Sequence, residues 1–210
     1  MIFFHSQNSC STASLLALIE SGLQHTVQVY DVRSGRTQTP EYMAINPWAK
    51  VPALQTEEGP LLTENVAILT YIADKVTEKN LLPASGTFAR AQALSFMALL
   101  SSTVHIAFRP ILRPEKFAST PEGRDDVTQT GLVNLDKVLT SLENEIQGEQ
   151  SVLPGGFSLC DYYALVFAHW SLRPQVAGRL SPTPRLYAVA RAMHERPAVK
   201  SVFPDGPDFG

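Results

Sequence analysis

Met1-Ile2-Phe3-Phe4-His5-Ser6-Gln7-Asn8-Ser9-Cys10-Ser11-Thr12 runs from an apolar strand through a polar turn carrying a thiol into Ala13, Leu15, Leu16, Leu18 and Ile19 at helical spacing, stopped at Gly22. Val27 to Tyr30 is again β-branched and aromatic. Strand, helix and strand within about thirty residues fit a βαβ unit with a parallel strand pair. Cys10 falls where the strand gives way to the helix. Unpaired N–H groups and the positive end of the helix dipole favour a thiolate there, so the turn is a place for sulfur chemistry. The alternative is a small buried apolar residue, the common role of a lone cysteine.

Further along, Val51-Pro52-Ala53-Leu54, the turn Glu57-Glu58-Gly59-Pro60 and then Leu61-Leu62 predict two antiparallel strands closing the same sheet. Thr63-Glu64-Asn65 precedes Val66, Ile68, Leu69, Tyr71 and Ile72 at helical spacing, ending near Lys75. The order is βαβ, an irregular stretch, then ββα. Pro83, Ser85 and Gly86 mark a linker over residues 77–86, between a first domain of residues 1–76 and a second of residues 87–210. The second domain reads as helical, with apolar periodicity from Phe88 past His105, from Asp126 to Ile146, from Asp161 to Trp170 and from Leu186 to Met193. Ser158 and Asp161 form a helix-start box with Phe157 stapled onto Tyr162. The tail from Pro204 is expected to be mobile.

A chain of 210 residues with 44% apolar and 18% charged residues can bury a real core. Its net charge of −3 offers no broad basic field for nucleic acid or an anionic membrane. The start lacks the basic region of a signal peptide, and no apolar run approaches membrane-spanning length. Cys10 and Cys160 form neither CxxC nor a disulfide framework, which makes the cytoplasm the simplest compartment, and no metal site is expected.

A βαβ-ββα half with a thiol at its first strand-to-helix turn, followed by a helical half, resembles the cytosolic glutathione transferases along almost the whole chain. The bacterial beta class is most similar: its cysteine after the first strand and its histidine in the fourth helix correspond to Cys10 and His105. Other landmarks agree in order, namely Asn46-Pro47 before Val51-Pro52, Leu62-Thr63-Glu64 before the third helix, Ser158-Leu159-Cys160-Asp161, and Glu195-Arg196-Pro197. The resemblance implies an α/β plus all-α fold, in which an N-terminal thioredoxin-like domain precedes a C-terminal helical bundle. It also implies glutathione as co-substrate, a small hydrophobic electrophile as its partner, detoxification as the role, and a homodimer.

Several residues take roles under that resemblance. Val51-Pro52 is a candidate cis peptide whose free backbone groups on Val51 pair with the cysteinyl part of glutathione; the alternative is a plain trans X-Pro at a strand start. Glu64-Asn65 opens a helix whose N–H groups suit the γ-glutamyl carboxylate, with an Asn65 side-chain donor added and Glu64 accepting from the α-amino group. Ordinary capping with a first-turn acid is the other reading. Lys50, Arg33 and Arg36 are candidates for the glycine carboxylate. Cys10, Ser11 and His105 are the candidate partners of the glutathione sulfur, with Ser9 an alternative by likeness to the zeta-class Ser-Ser-Cys turn. The Trp and Arg pair that follows the zeta turn is replaced by Thr12-Ala13, and beta ranks above zeta. Where tyrosine-dependent members carry their phenol this chain has His5, and where the beta class often has an Asn reaching the partner's glutathione it has Ala98. Phe4, His5, Phe108, Leu112 and Trp170 are the expected lining of the electrophile pocket. Two further readings stay open: a glutathione-dependent thiol-disulfide reductase acting through Cys10, and a non-catalytic protein of this fold that binds a ligand or partner.

Overall fold

In the computed structural model, which describes residues 1–209, the central strand β1 (Ile2–His5) pairs in parallel with β2 (Thr26–Val29), Phe3 opposite Val27, and antiparallel with β3 (Ala53–Gln55), Phe3 opposite Leu54. β4 (Leu62–Thr63) joins β3, giving the order β2-β1-β3-β4. Successive strand side chains point to opposite faces. Phe3 therefore enters the main core with α1 (Thr12–Ser21) and α3 (Asn65–Lys75), while Phe4 lies on the other face with Tyr30, Tyr42, Val51 and Ala53. The stretch expected to be irregular contains α2 (Pro40–Ile45), which Thr39 starts by accepting the Tyr42 N–H at 3.4 Å and which brings Tyr42 over Phe4. α1 ends as expected at Gly22, whose left-handed φ of 71° lets its N–H reach the Ile19 carbonyl.

The helical part begins with α4 (Phe88–Leu99), which passes through a π-helical turn at residues 100–104 into α5 (His105–Leu112). Residues 88–112 thus form one helix long and apolar enough, by length and composition, to cross a membrane, contrary to the sequence expectation. Its apolar side has another use. Phe96, Met97, Leu100, Val104 and Phe108 are buried where it packs against α6 (Pro121–Glu145) and α7 (Leu159–Ser171). α8 (Pro184–His194) and α9 (Pro197–Val202) complete the bundle, and α7 is buried along nearly its whole length between α1, α4 and α8.

The Asp161 carboxylate accepts the Ser158 N–H at 2.6 Å and the Val152 N–H at 2.5 Å, and the Phe157 ring lies 5.0 Å from Tyr162. The Tyr162 hydroxyl then donates to Glu20 on α1 at 2.5 Å, and Arg196 pairs with the same Glu20 while lying 3.5 Å over Phe157. Two distant landmarks of the sequence thus meet at the C-terminal end of α1. The tail is not loose, as the sequence suggested. Phe209 is buried against His169, Tyr187 and His194, and its carbonyl accepts from Arg191 at 3.1 Å.

Asp161→Ala leaves two buried N–H groups without an acceptor and is expected to cost about 3 kcal/mol. A urea titration that finds the midpoint unchanged contradicts this role.

Candidate functional site

The β1–α1 turn is held from within by three hydroxyls and one imidazole. Ser11 Oγ lies 2.7 Å from His5 Nδ1 and 2.7 Å from Ser9 Oγ, and it accepts the Ser6 N–H at 3.2 Å. Ser9 Oγ donates to the Ser6 carbonyl at 2.8 Å, and Ser6 Oγ accepts the Val32 N–H at 3.2 Å. Ser11 is completely buried and its hydroxyl is committed to this network, which corrects its expected place beside the glutathione sulfur. His5 belongs to the same network, buried, with its pKa pushed down to about 4. It is therefore a neutral brace of the turn and not part of a substrate lining.

Cys10 faces the loop before β3: its thiol points to the Val51 carbonyl at 3.8 Å, and the Val51–Pro52 peptide is cis. Burial pushes the Cys10 thiol up to about 12, helped by the negative charge of Glu64 and opposed by its own N–H, Asn65 and Lys50. The expected thiolate at a helix N-terminus is thus corrected. Ser11 occupies the N-cap position of α1, so Cys10 lies outside the helix and burial decides its state. The Lys50 carbonyl accepts from the Tyr42 hydroxyl at 2.7 Å and from Asn46 Nδ2 at 2.8 Å, so Asn46 and Tyr42 fix the backbone that presents Val51.

Glu64 is exposed, with a left-handed φ of 70°, just before α3. Asn65 opens the helix and is buried. Its Nδ2 donates to the Cys10 carbonyl at 3.0 Å and its Oδ1 accepts from Ser14 at 2.7 Å. The side-chain donor expected to face a ligand is instead a strut between α3 and the Cys10 turn. What remains for an anion is the first turn of backbone N–H groups of α3.

From the helical side, His105 starts α5 directly after the π turn, its ring 5.1 Å from Trp170 and 6.2 Å from Phe167. Burial holds its pKa down to about 4, with Arg109 and then Lys50 adding to the effect, so His105 is neutral at neutral pH and lies within electrostatic reach of Lys50. Trp170 Nε1 donates to the Asn8 carbonyl at 3.3 Å, joined there by the Arg173 guanidinium, which also lies 4.8 Å over the Trp170 ring. Asn8 and Arg173 were not legible as partners in the sequence. Neither was Tyr163, whose hydroxyl on α7 is held up by burial and the neighbouring Cys10 and eased by the Asn65 amide.

Cys10, Lys50, Val51, Pro52, Glu64, Asn65 and His105 are thus brought together, with Trp170 behind them. Others are not. Phe4 and Phe108 are core residues, the first on the far face of the sheet and the second between Phe167 and Trp170, while Leu112 is half-buried against the core. Arg36 stacks over Tyr30 at 5.5 Å. Arg33 is exposed and lines a cavity with Asn8, Ser9 and Trp170, whose wall contains neither Lys50 nor Val51.

Residues 9–75 match the glutathione S-transferase N-terminal domain family. Over 201 residues, 95% of this chain and 96% of the other, the sequence is 30% identical to glutathione S-transferase GstA of Escherichia coli O157:H7. A glutathione transferase homologue from Sulfitobacter, solved with bound glutathione, superposes with a TM-score of 0.85 at 29% identity, covering 98% of this chain and 97% of that one. A bacterial beta class glutathione S-transferase from Sphingomonas chungbukensis gives 0.83 at 30% identity, covering 97% and 98%. The chain belongs to the glutathione S-transferase family. Its sheet is the thioredoxin-like sheet of that family, followed by the family's helical region.

His5, His105 and His169 are each depressed to about 4 by burial, and His194 is lowered for the same reason. A histidine depressed in the folded state takes its proton first in the unfolded chain, so stability present above 6.5 is lost as pH falls towards 4. Asp161, raised by burial to about 6, acts in the opposite sense, one group against four. The urea midpoint is expected to fall between about pH 7 and about pH 5, with a shallower fall in His105→Gln; a midpoint that rises on acidification contradicts these burial effects.

Proposed function

We propose that the chain is a beta-class glutathione transferase that binds glutathione across the Cys10–Val51 cleft and directs its sulfur at a small hydrophobic electrophile. The observation that carries this is the placement of the Val51 backbone against Cys10, beside the first turn of α3. The Val51 N–H and carbonyl pair with the cysteinyl part of the peptide as an added strand would. The γ-glutamyl carboxylate takes the α3 N–H groups, its α-amino group takes Glu64, and the glycine carboxylate takes Lys50. The glutathione thiol releases its proton to solvent, neutral His105 donates a ring N–H to the resulting sulfur anion, and the sulfur then forms a bond to the electrophilic carbon as the leaving group departs with its electron pair. Leu112 and Trp170 stand on the electrophile's side.

The similarity to the Sphingomonas enzyme supports the bacterial beta class, and a detoxifying role follows from the conjugation of small electrophiles. Two unpaired thiols, Cys10 and Cys160, suit the reducing cytoplasm. In this reading residues 1–76 bind glutathione, residues 77–86 link, and residues 87–210 supply His105 and the electrophile pocket, in each half of a homodimer. A thiol-disulfide reductase needs a reactive resident thiolate, and the high pKa of Cys10 favours the transferase.

The protein is expected to be retained on immobilised glutathione. Lys50→Ala and Glu64→Ala are each expected to raise KM for glutathione about tenfold, the loss of one charge-assisted hydrogen bond. Cys10→Ala is expected to keep most aryl-halide conjugation. A parent enzyme that reduces mixed disulfides but does not conjugate, with Cys10→Ala inert, overturns the transferase in favour of the reductase.

A further inference from the structure

Cys10 comes from the sheet half of the chain and His105 from the helical half, and one route of contacts between them passes through the end of α7. The Asn8 carbonyl, two residues before Cys10, accepts the Trp170 indole N–H at 3.3 Å and a second hydrogen bond from the Arg173 guanidinium. The same guanidinium lies 4.8 Å over the Trp170 ring. That ring stands at 87° to the His105 imidazole, with 5.1 Å between centroids. One side chain thus touches the support of Cys10 and the support of His105.

The chain places Arg173 for this. Its N–H closes a turn onto the Trp170 carbonyl at 3.2 Å, and Pro174, which has no N–H, cannot continue the helix. Arg173 is half-buried, and among the described residues no carboxylate pairs with it, so its charge is committed to Asn8 and Trp170. On the other side, Asn8 has a left-handed φ of 56°, a sparsely populated backbone state that persists where its surroundings hold it. The indole bond is long for N–H···O, whereas a charged donor makes the stronger hydrogen bond. Without Arg173 that long bond is the only one from this end of α7 to Asn8, and the face of Trp170 that the guanidinium covers is left open.

We propose that Arg173 is a positioning residue of the sulfur site: through Asn8 it holds the Cys10 turn, and through Trp170 it holds His105 where a ring N–H meets the glutathione sulfur anion. The part played by His105 rests on the proposed transferase function; the hold on the turn does not. Arg173 touches neither the thiol nor the imidazole and acts through its two neighbours.

The test compares the parent chain with Arg173→Gln and Arg173→Lys in aryl-halide conjugation, and in iodoacetamide alkylation of Cys10 in glutathione-free Cys160→Ala protein. Arg173→Gln is expected to lower kcat about tenfold and to change KM for glutathione by less than about twofold, because Val51, Lys50 and the start of α3 still hold the peptide. Cys10 is expected to alkylate about tenfold faster as the turn opens. Arg173→Lys restores most of both, since an ammonium can serve the same carbonyl and ring. In a His105→Gln background, Arg173→Gln is expected to cost kcat less than about twofold. An unchanged kcat, an unchanged alkylation rate, or an equal loss in both backgrounds each overturns the proposal. A parent chain that conjugates nothing fails the transferase function instead, and the alkylation rate then decides whether Arg173 holds the turn.

Discussion

Two backbone carbonyls of one turn hold this protein's site in place. The Cys10 carbonyl is taken by the Asn65 amide from α3, and the Asn8 carbonyl by Trp170 and Arg173 from α7 and the residues after it. The Cys10 carbonyl also takes the Ala13 N–H at 3.3 Å within the turn, so the bonds from Asn65, Trp170 and Arg173, each contributing about 1 kcal/mol, set where the turn sits between the sheet side and the helical side. The serine and histidine network inside the turn sets its shape, and these outer bonds set its position. The thiol, the Val51 backbone and the start of α3 come into register as a result.

The same enclosure decides the chemistry of Cys10. Moving a thiol from an ordinary value of 9.0 to about 12 corresponds to about 4 kcal/mol in favour of the protonated form. A helix terminus contributes at most about 2 kcal/mol, and only within its own first turn, which Cys10 precedes. Burial wins. The resting protein thus offers glutathione a rigid peptide-binding edge, a neutral imidazole and a protonated thiol. A thiol in that state can donate a hydrogen bond to an incoming sulfur anion; it is a poor nucleophile itself.

Much of the fold was legible because its signals are local. The βαβ start, the Gly22 stop, the pair of strands after Val51 and the Ser158–Asp161 box each follow from periodicity or capping within a few residues. α2 was missed because six residues carry too little periodicity, although Thr39-Pro40 is a start signal. Around Cys10, the closeness of Val51 and of the start of α3 was legible from motif order. The fate of individual side chains was not. Whether Asn65 faces a ligand or a carbonyl, and whether Arg33 joins Lys50 or Arg173, depends on chain segments far apart in sequence. Phe4 is the exception, since strand alternation alone sends it to the opposite face from Phe3.

The central claim is that burial outweighs the helix terminus at Cys10. Its most direct measurement is the pH dependence of iodoacetamide alkylation of Cys10 in glutathione-free Cys160→Ala protein. The structure predicts a rate below that of free glutathione, still climbing at about pH 9. A rate that reaches its plateau near neutral pH, the mark of a resident thiolate, contradicts the account.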